Sequence, residues 1–165
     1  MAVAENPETR RETPMSQSYA KTFEVRWADL DPNGHMRHSA YADYGAQARI
    51  GFLTEHGFGL GHFQKLHLGP VLFREDLKYL KEIRPNERIR VSCEAAGLSP
   101  NHKHWRIRHR IFRQDGELAC VIDCQGAWFD LATRKVVPAP EELEAVMEKM
   151  PKTEDYTEFE PKKDG

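Results

Sequence analysis

The chain has 165 residues, enough for one domain with a real core and no room for a second beyond tails. Its 24 Lys and Arg nearly balance 26 Asp and Glu, which removes any global argument for nucleic acid or an anionic membrane surface as partner. No apolar run approaches the roughly 20 residues a membrane-spanning helix needs.

Residues 1–18, rich in Glu, Arg, Pro, Ser and Thr, read as a disordered tail, and residues 19–150 as the single domain. The amino terminus lacks the apolar core of a secretion signal, and Cys93, Cys120 and Cys124 form no CxxC pair. The expectation is a reduced cytoplasmic protein. In "AKTFEVRW", Phe23, Val25 and Trp27 alternate with polar residues, which predicts a strand with one buried face. "DLDPNGHMRHS" follows, with two carboxylates, a Pro-Asn-Gly turn and two histidines. "SAYADYGAQARIGFLTEHG" then carries Tyr41, Tyr44, Gly45, Ala48 and Phe52 at helical spacing among small residues. Ser39 is the expected cap, Asp43 suits the first turn and Gly57 ends the helix. So little side-chain bulk predicts a central, largely enclosed helix lying close against a sheet.

From Val71 onward the pattern is strand. "VLFREDLKYLKEIR" predicts one long strand, Pro85-Asn86 a turn, and "ERIRVSCEAAG" a strand burying Ile89, Val91, Cys93 and Ala95. "HKHWRIRHRIFR" alternates Trp105, Ile107, His109 and Ile111 with Arg106, Arg108 and Arg110; the arginines read as a solvated or subunit-facing stripe. Asp115-Gly116 marks a hairpin into "ELACVIDCQGAWFD". "KVVPAP" is a short final piece before a helix at "EELEAVMEKM", and residues 151–165 read as a polar, acidic, loose tail. Strands in succession with a segregated helix mean α+β. One helix covers only one face of such a sheet, so a second subunit is expected to cover its back or its edge.

Strand, "DLDPNGHMRHSAYADYGAQAR", the Gly69-Pro70-Val71 segment and then four long strands together resemble the hotdog fold, specifically 4-hydroxybenzoyl-CoA thioesterase-like acyl-CoA thioesterases. The resemblance spans roughly Lys21 to Pro140, and Asp31, Gly34 and Tyr41 match its most specific motif, with Arg49 at the motif's end. It implies an antiparallel sheet of about five strands wrapped around a long central helix, a homodimer or homotetramer, and active sites at the subunit interface. The implied substrate is an acyl-CoA or acyl-carrier thioester, hydrolysed without cofactor or metal.

The residues suit that chemistry. Thioester hydrolysis needs a carboxylate nucleophile or a base for water, plus donors for the oxyanion. Asp31 precedes a helix amino terminus, whose partial positive charge favours the carboxylate and whose N–H groups are free. Gly34 can take positive φ and let backbone approach a ligand. The bland reading of Asp31 is an Asx turn before Pro-Asn-Gly. Asp29, two residues earlier, is expected to be structural or solvent-facing. Gly69 is read either as a second oxyanion donor or as a turn before Pro70. The acyl group is expected along the helix, against Tyr41, Tyr44, Phe63 or Leu68, and the resemblance carries His102 and Lys103 over as contacts to the CoA phosphates. His38 is read as bonding Asp31 or a water, or else as a surface or capping residue. Where relatives often carry two Asn this chain has Arg37 and His38, which leaves the acyl preference open.

Other chemistries fit less well. His102 and His104 share a strand face, His109 takes the other, and no nearby carboxylate or Cys completes a zinc site. The cysteines sit in strand patterns as small core residues. No phosphate loop and no Gly-x-Ser-x-Gly elbow occurs. The rival readings are a hotdog hydratase or dehydratase, which needs a His paired with an acid, and a non-catalytic acyl- or CoA-binding hotdog protein.

Overall fold

The computed structural model describes residues 18–161. All but Ser18 of the expected amino-terminal tail lies outside the described residues. In chain order the elements are β1 (Ala20–Glu24), α1 (His38–Glu55), α2 (Leu60–Lys65), β2 (Leu68–Tyr79), β3 (Arg88–Ser92), β4 (Glu94–Leu98), β5 (His104–Phe112), β6 (Leu118–Asp130), β7 (Lys135–Val136) and α3 (Glu141–Glu148). One antiparallel sheet runs β1-β3-β5-β6-β2, with β4 paired to β5 and β7 to β6. The expected strand over residues 87–97 is broken at Cys93 into β3 and β4, both lying along β5. β2 starts earlier than expected, at Leu68, and ends at Tyr79, so Gly69 is a strand residue opposite Phe129 and not a turn.

The alternation of β5 holds: Trp105, Ile107, His109 and Ile111 are buried, and the arginines between them point to the other face. The turn into β6 is closed by Gly116 N–H donating to Arg113 O at 2.9 Å, with Gly116 at φ +85°. α1 lays Ala40, Tyr41, Tyr44, Ala48 and Phe52 on the sheet. Its approach is close enough that a Cβ on Gly45 would meet the His109 ring and Ile122 at 3.2 Å. Each large side chain in this layer stabilises the fold by about 1.5–3 kcal/mol. No side chain caps α1: Arg37 occupies the cap position in extended conformation, and its Nε donates to the Ser39 hydroxyl at 3.0 Å, so Ser39 is not the cap. No acid sits in that first turn either, contrary to the reading of Asp43. The helix is also less enclosed than expected, because Asp43, Ala46 and Gln47 are exposed.

The convex face corrects two further expectations. Residues 151–159 run along the outer edge of β4, where Thr153 N–H donates to Ala95 O at 2.9 Å and Phe159 N–H to Leu98 O at 3.3 Å. The arginine row receives this segment: Arg108 holds Asp155 at 2.9 Å, Arg110 holds Glu154 at 2.7 Å, and Arg106 lies 3.9 Å over the Phe159 ring. Acids on the tail complement cations on β5, and the unpaired edge of β4 supplies backbone partners. The stripe is therefore half-buried and paired rather than solvated, and this part of the tail is packed rather than loose.

Candidate active site

The connection from β1 to α1 separates two carboxylates that strand alternation would have put on one face. Trp27–Asp29 forms a 3₁₀ turn, which rotates Asp29 into the interior at 1% exposure. There Arg26 grips both carboxylate oxygens at 2.9 and 3.0 Å and the Tyr44 hydroxyl donates at 2.5 Å. The Arg37 backbone N–H donates to Asp29 O at 2.7 Å. The Arg26 hydrogen bonds lead the causes that lower the Asp29 carboxyl to about 2. Burial, then Asp29, raise the Tyr44 phenol. Asp29 thus ties three elements of the turn to α1: it is structural and not solvent-facing.

Asp31 is only half-buried. Its Oδ1 accepts the backbone N–H groups of Asn33 at 2.9 Å and His35 at 3.2 Å, and Gly34 N–H closes the turn on Asp31 O at 3.0 Å. Gly34 has φ +77°, the conformation a Cβ resists, so this turn needs glycine. Oδ2 makes no hydrogen bond among the described residues. One oxygen is held by an Asx turn and the other is available at the uncapped start of α1. His38 is exposed as the first residue of α1, and no hydrogen bond joins its ring to Asp31. His35 Nε2 lies 3.4 Å from Glu82. Tyr41, 4% exposed, packs edge-on to Tyr79, and burial leads the causes that push its hydroxyl up to about 12.

Gly69, His102 and Lys103 lie elsewhere. Tyr79 donates to His38 O at 3.1 Å, so the carboxyl end of β2 meets the start of α1. Gly69 is ten residues back along the strand, roughly 33 Å at the usual rise. Lys103 and His102 belong to the turn between β4 and β5 near that far end: Trp128 N–H donates to Lys103 O at 3.0 Å, and Ala139 N–H to His102 O at 2.8 Å. His102 Nε2 approaches Glu144 at 3.3 Å, while Lys103 enters no ion pair among the described residues. One chain therefore collects Asp31, Gly34, His38 and Tyr41 at one end, and Gly69, His102 and Lys103 at the other.

Next to the second group a cleft of about 480 Å³ opens between α1 and the sheet, walled by Ala46, Ile50, Pro70, Trp105, Trp128 and Met147. Tyr41, Tyr44, Phe63 and Leu68, expected beside the acyl group, are buried in the core and do not line it. The helix explains this. Tyr41, Tyr44, Ala48 and Phe52 form the stripe facing the sheet, and the cleft follows a second stripe through Ala46 and Ile50. Ala46, Ile50 and Leu53 at helical spacing were the available signal, diluted by Asp43, Gln47 and Arg49 on the same side of the helix.

Arg49 reaches the cleft from α1. Its Nη1 donates to His109 Nε2 at 2.9 Å, while His109 Nδ1–H donates to Ser92 O at 2.8 Å. A carbonyl only accepts and a guanidinium only donates, so this histidine is neutral with its proton on Nδ1. Burial, with the Arg49 charge second, depresses it to about 3. Burial likewise pushes the Cys120 and Cys124 thiols up to about 12 and the Cys93 thiol up as well, which leaves all three as poor nucleophiles.

Comparison with known proteins agrees with this architecture. A Staphylococcus aureus protein solved in complex with CoA superposes with a TM-score of 0.73 at 20% identity, over 83% of this chain and 88% of that one. The DHNA-CoA thioesterase of Staphylococcus aureus gives 0.73 at 21% identity, over 80% and 89%. The 1,4-dihydroxy-2-naphthoyl-CoA thioesterase of Synechocystis gives 0.72 at 14% identity, over 79% and 95%. At such identities the likeness speaks to the hotdog fold alone. No curated protein matches the chain in sequence. The family described as the thioesterase-like superfamily matches residues 25–147. That span takes in the Asp31 turn, α1, the cleft and the whole of β2 to β6, and by it the chain belongs to the thioesterase-like superfamily.

Proposed function

We propose that the protein is an acyl-CoA thioesterase in which Asp31 acts as general base or nucleophile. The observation that carries this is Asp31 itself: a half-buried carboxylate in the turn that leads into α1, one oxygen anchored by two backbone N–H groups and the other unbonded among the described residues. In this reading Asp31 either takes a proton from water as it attacks the thioester carbonyl or attacks directly. The tetrahedral oxyanion is held by backbone N–H groups at the start of α1 or at Gly69, and collapse expels the CoA thiolate. The Lys103 turn, with an unpaired ammonium, suits the CoA phosphates. The chemistry calls for no metal or cofactor. Three free, buried cysteines suit a reducing cytoplasm.

The site is completed by a second chain. Among the described residues β2 is an edge strand of 12 residues paired only with β6, and at its centre Phe73 is 58% exposed on a bulge between Leu72 and Arg74. Such an edge invites pairing. Antiparallel pairing of two β2 edges about their midpoints sets the Gly69 end of one against the Tyr79 end of the other, which brings Asp31 of one chain towards the cleft of its partner. The test is thiol release across aryl-CoA and short to long acyl-CoA substrates, with Asp31→Asn in parallel. Turnover falling by about a hundredfold or more in the variant is expected. Equal, measurable rates in wild type and variant would leave Asp31 as a turn residue, and no hydrolysis by the wild type would make the protein a non-catalytic acyl or CoA binder.

A further inference from the structure

The cleft is mostly apolar, yet a cation with no counter-ion among the described residues stands in it. Arg49 enters no ion pair among the described residues. Its Nη1 is spent on the neutral His109 ring and, at 3.5 Å, on Cys124 Sγ; Nε and Nη2 make no hydrogen bond to a described residue. Asp43 also lines the cleft, but it is exposed and its carboxylate approaches Arg37 at 3.8 Å. The Arg49 guanidinium lies 5.8 Å from the centroid of the Trp105 ring, which holds it from one side. Trp105 is itself 1% exposed, and its indole N–H is buried without a partner. Gln47 also lines the cleft and is exposed like Asp43, so the half-buried Arg49 and the buried Trp105 are its inward polar groups, and Arg49 Nε and Nη2 and the Trp105 N–H have no acceptor among the described residues. Buried charges are normally paired, and an unmade hydrogen bond at a buried donor costs more than a made one contributes.

We propose that this cleft selects acyl groups bearing a carboxylate at the end remote from the thioester, received by the free edge of Arg49. The inference rests on the thioesterase reading and names its substrate class. A guanidinium edge matches a carboxylate in two parallel hydrogen bonds, and the apolar walls around it suit an aryl or short alkyl spacer. A volume of about 480 Å³ accommodates such a group. A plain alkyl chain in the same place would strip water from Arg49 and return nothing to it, so the site discriminates in both directions.

The test separates this subsite from turnover. Binding of benzamide and of 4-carbamoylbenzoate, which carry an amide where the thioester would sit and cannot be turned over as substrates, is measured by calorimetry on wild type, Arg49→Lys, Arg49→Met and Ala46→Glu. Ala46 is exposed and three residues before Arg49 on the same helical face, so Ala46→Glu supplies an internal counter-ion without touching the core. The carboxylated amide is expected to bind wild type about tenfold or more tightly. Arg49→Lys should keep part of that preference, and Arg49→Met and Ala46→Glu should abolish it. Equal binding of the two amides to wild type, or a preference surviving Ala46→Glu, overturns the proposal even if Arg49→Met fails to fold. Hydrolysis of benzoyl-CoA and 4-carboxybenzoyl-CoA is followed separately. If neither is cleaved while the amide preference holds, the thioesterase reading falls and the anion subsite stands.

Discussion

The two ends of β2 are chemically opposite. At its carboxyl end, around Tyr79, stand the Asp31 turn and the start of α1, with a carboxylate that has one oxygen unbonded among the described residues. At its amino end, around Gly69 and Pro70, stand a cleft and the cations of Arg49 and Lys103, and the acid on the cleft wall, Asp43, is exposed and faces Arg37 at 3.8 Å. Gly69 and Tyr79, the marks of the two ends, are ten residues and roughly 33 Å of strand apart. On the proposed function each subunit would carry two half-sites, and the exposed edge of β2 is the element through which a second copy would complete both.

The strongest way to break this comparison is complementation. Asp31→Asn should lose about a hundredfold or more in kcat, and Ala46→Trp, which fills the cleft from an exposed position, should abolish turnover on its own. Mixed and reassociated one to one, the two should recover about a quarter of wild-type activity, because half the dimers are mixed and each mixed dimer has one intact site. No recovery would put carboxylate and cleft to work within one chain. Next in size, Phe73→Glu should split the assembly in sedimentation and reduce turnover about tenfold or more, by placing a charge in the paired edge.

Asp29 supplies the control for Asp31. Asp29→Asn should cost about 1–3 kcal/mol in urea unfolding, whereas Asp31→Asn should leave the midpoint close to wild type. Because the folded-state pKa of Asp29 is depressed to about 2, its contribution is complete above the ordinary carboxylate range, about 4, and is lost as pH falls through 2. Wild type should lose stability between pH 5 and pH 2 more steeply than Asp29→Asn, read from urea midpoints at each pH. The smallest effect belongs to Lys103→Ala: KM for CoA thioesters should rise about threefold to tenfold with kcat unchanged, and the difference should shrink in high salt.

Much of this architecture is local, and local signals are written in sequence. The alternation of β5, the spacing of Tyr41, Tyr44, Ala48 and Phe52 along α1, the Asp115-Gly116 hairpin and the Asp31 to Gly34 turn each depend on neighbours a few residues away, through pleat, helical period or a positive φ. Asp31 could be picked out because its partners, Asn33 and His35, are two and four residues on. Other features depend on segments far apart in the chain. Asp29 is buried because Tyr44, fifteen residues later, and a 3₁₀ turn meet over it. Residues 151–159 of the polar tail are packed because the arginines of β5 and the free edge of β4 lie under them. The cleft lies on the second stripe of α1 because Trp105, Trp128 and Met147 arrive there from β5, β6 and α3. Sequence determined the elements and the motif, since propensity and periodicity are properties of short segments. Only the tertiary structure decided which carboxylate was buried, where the cleft ran and how far apart the half-sites stood, since those follow from strand order and packing.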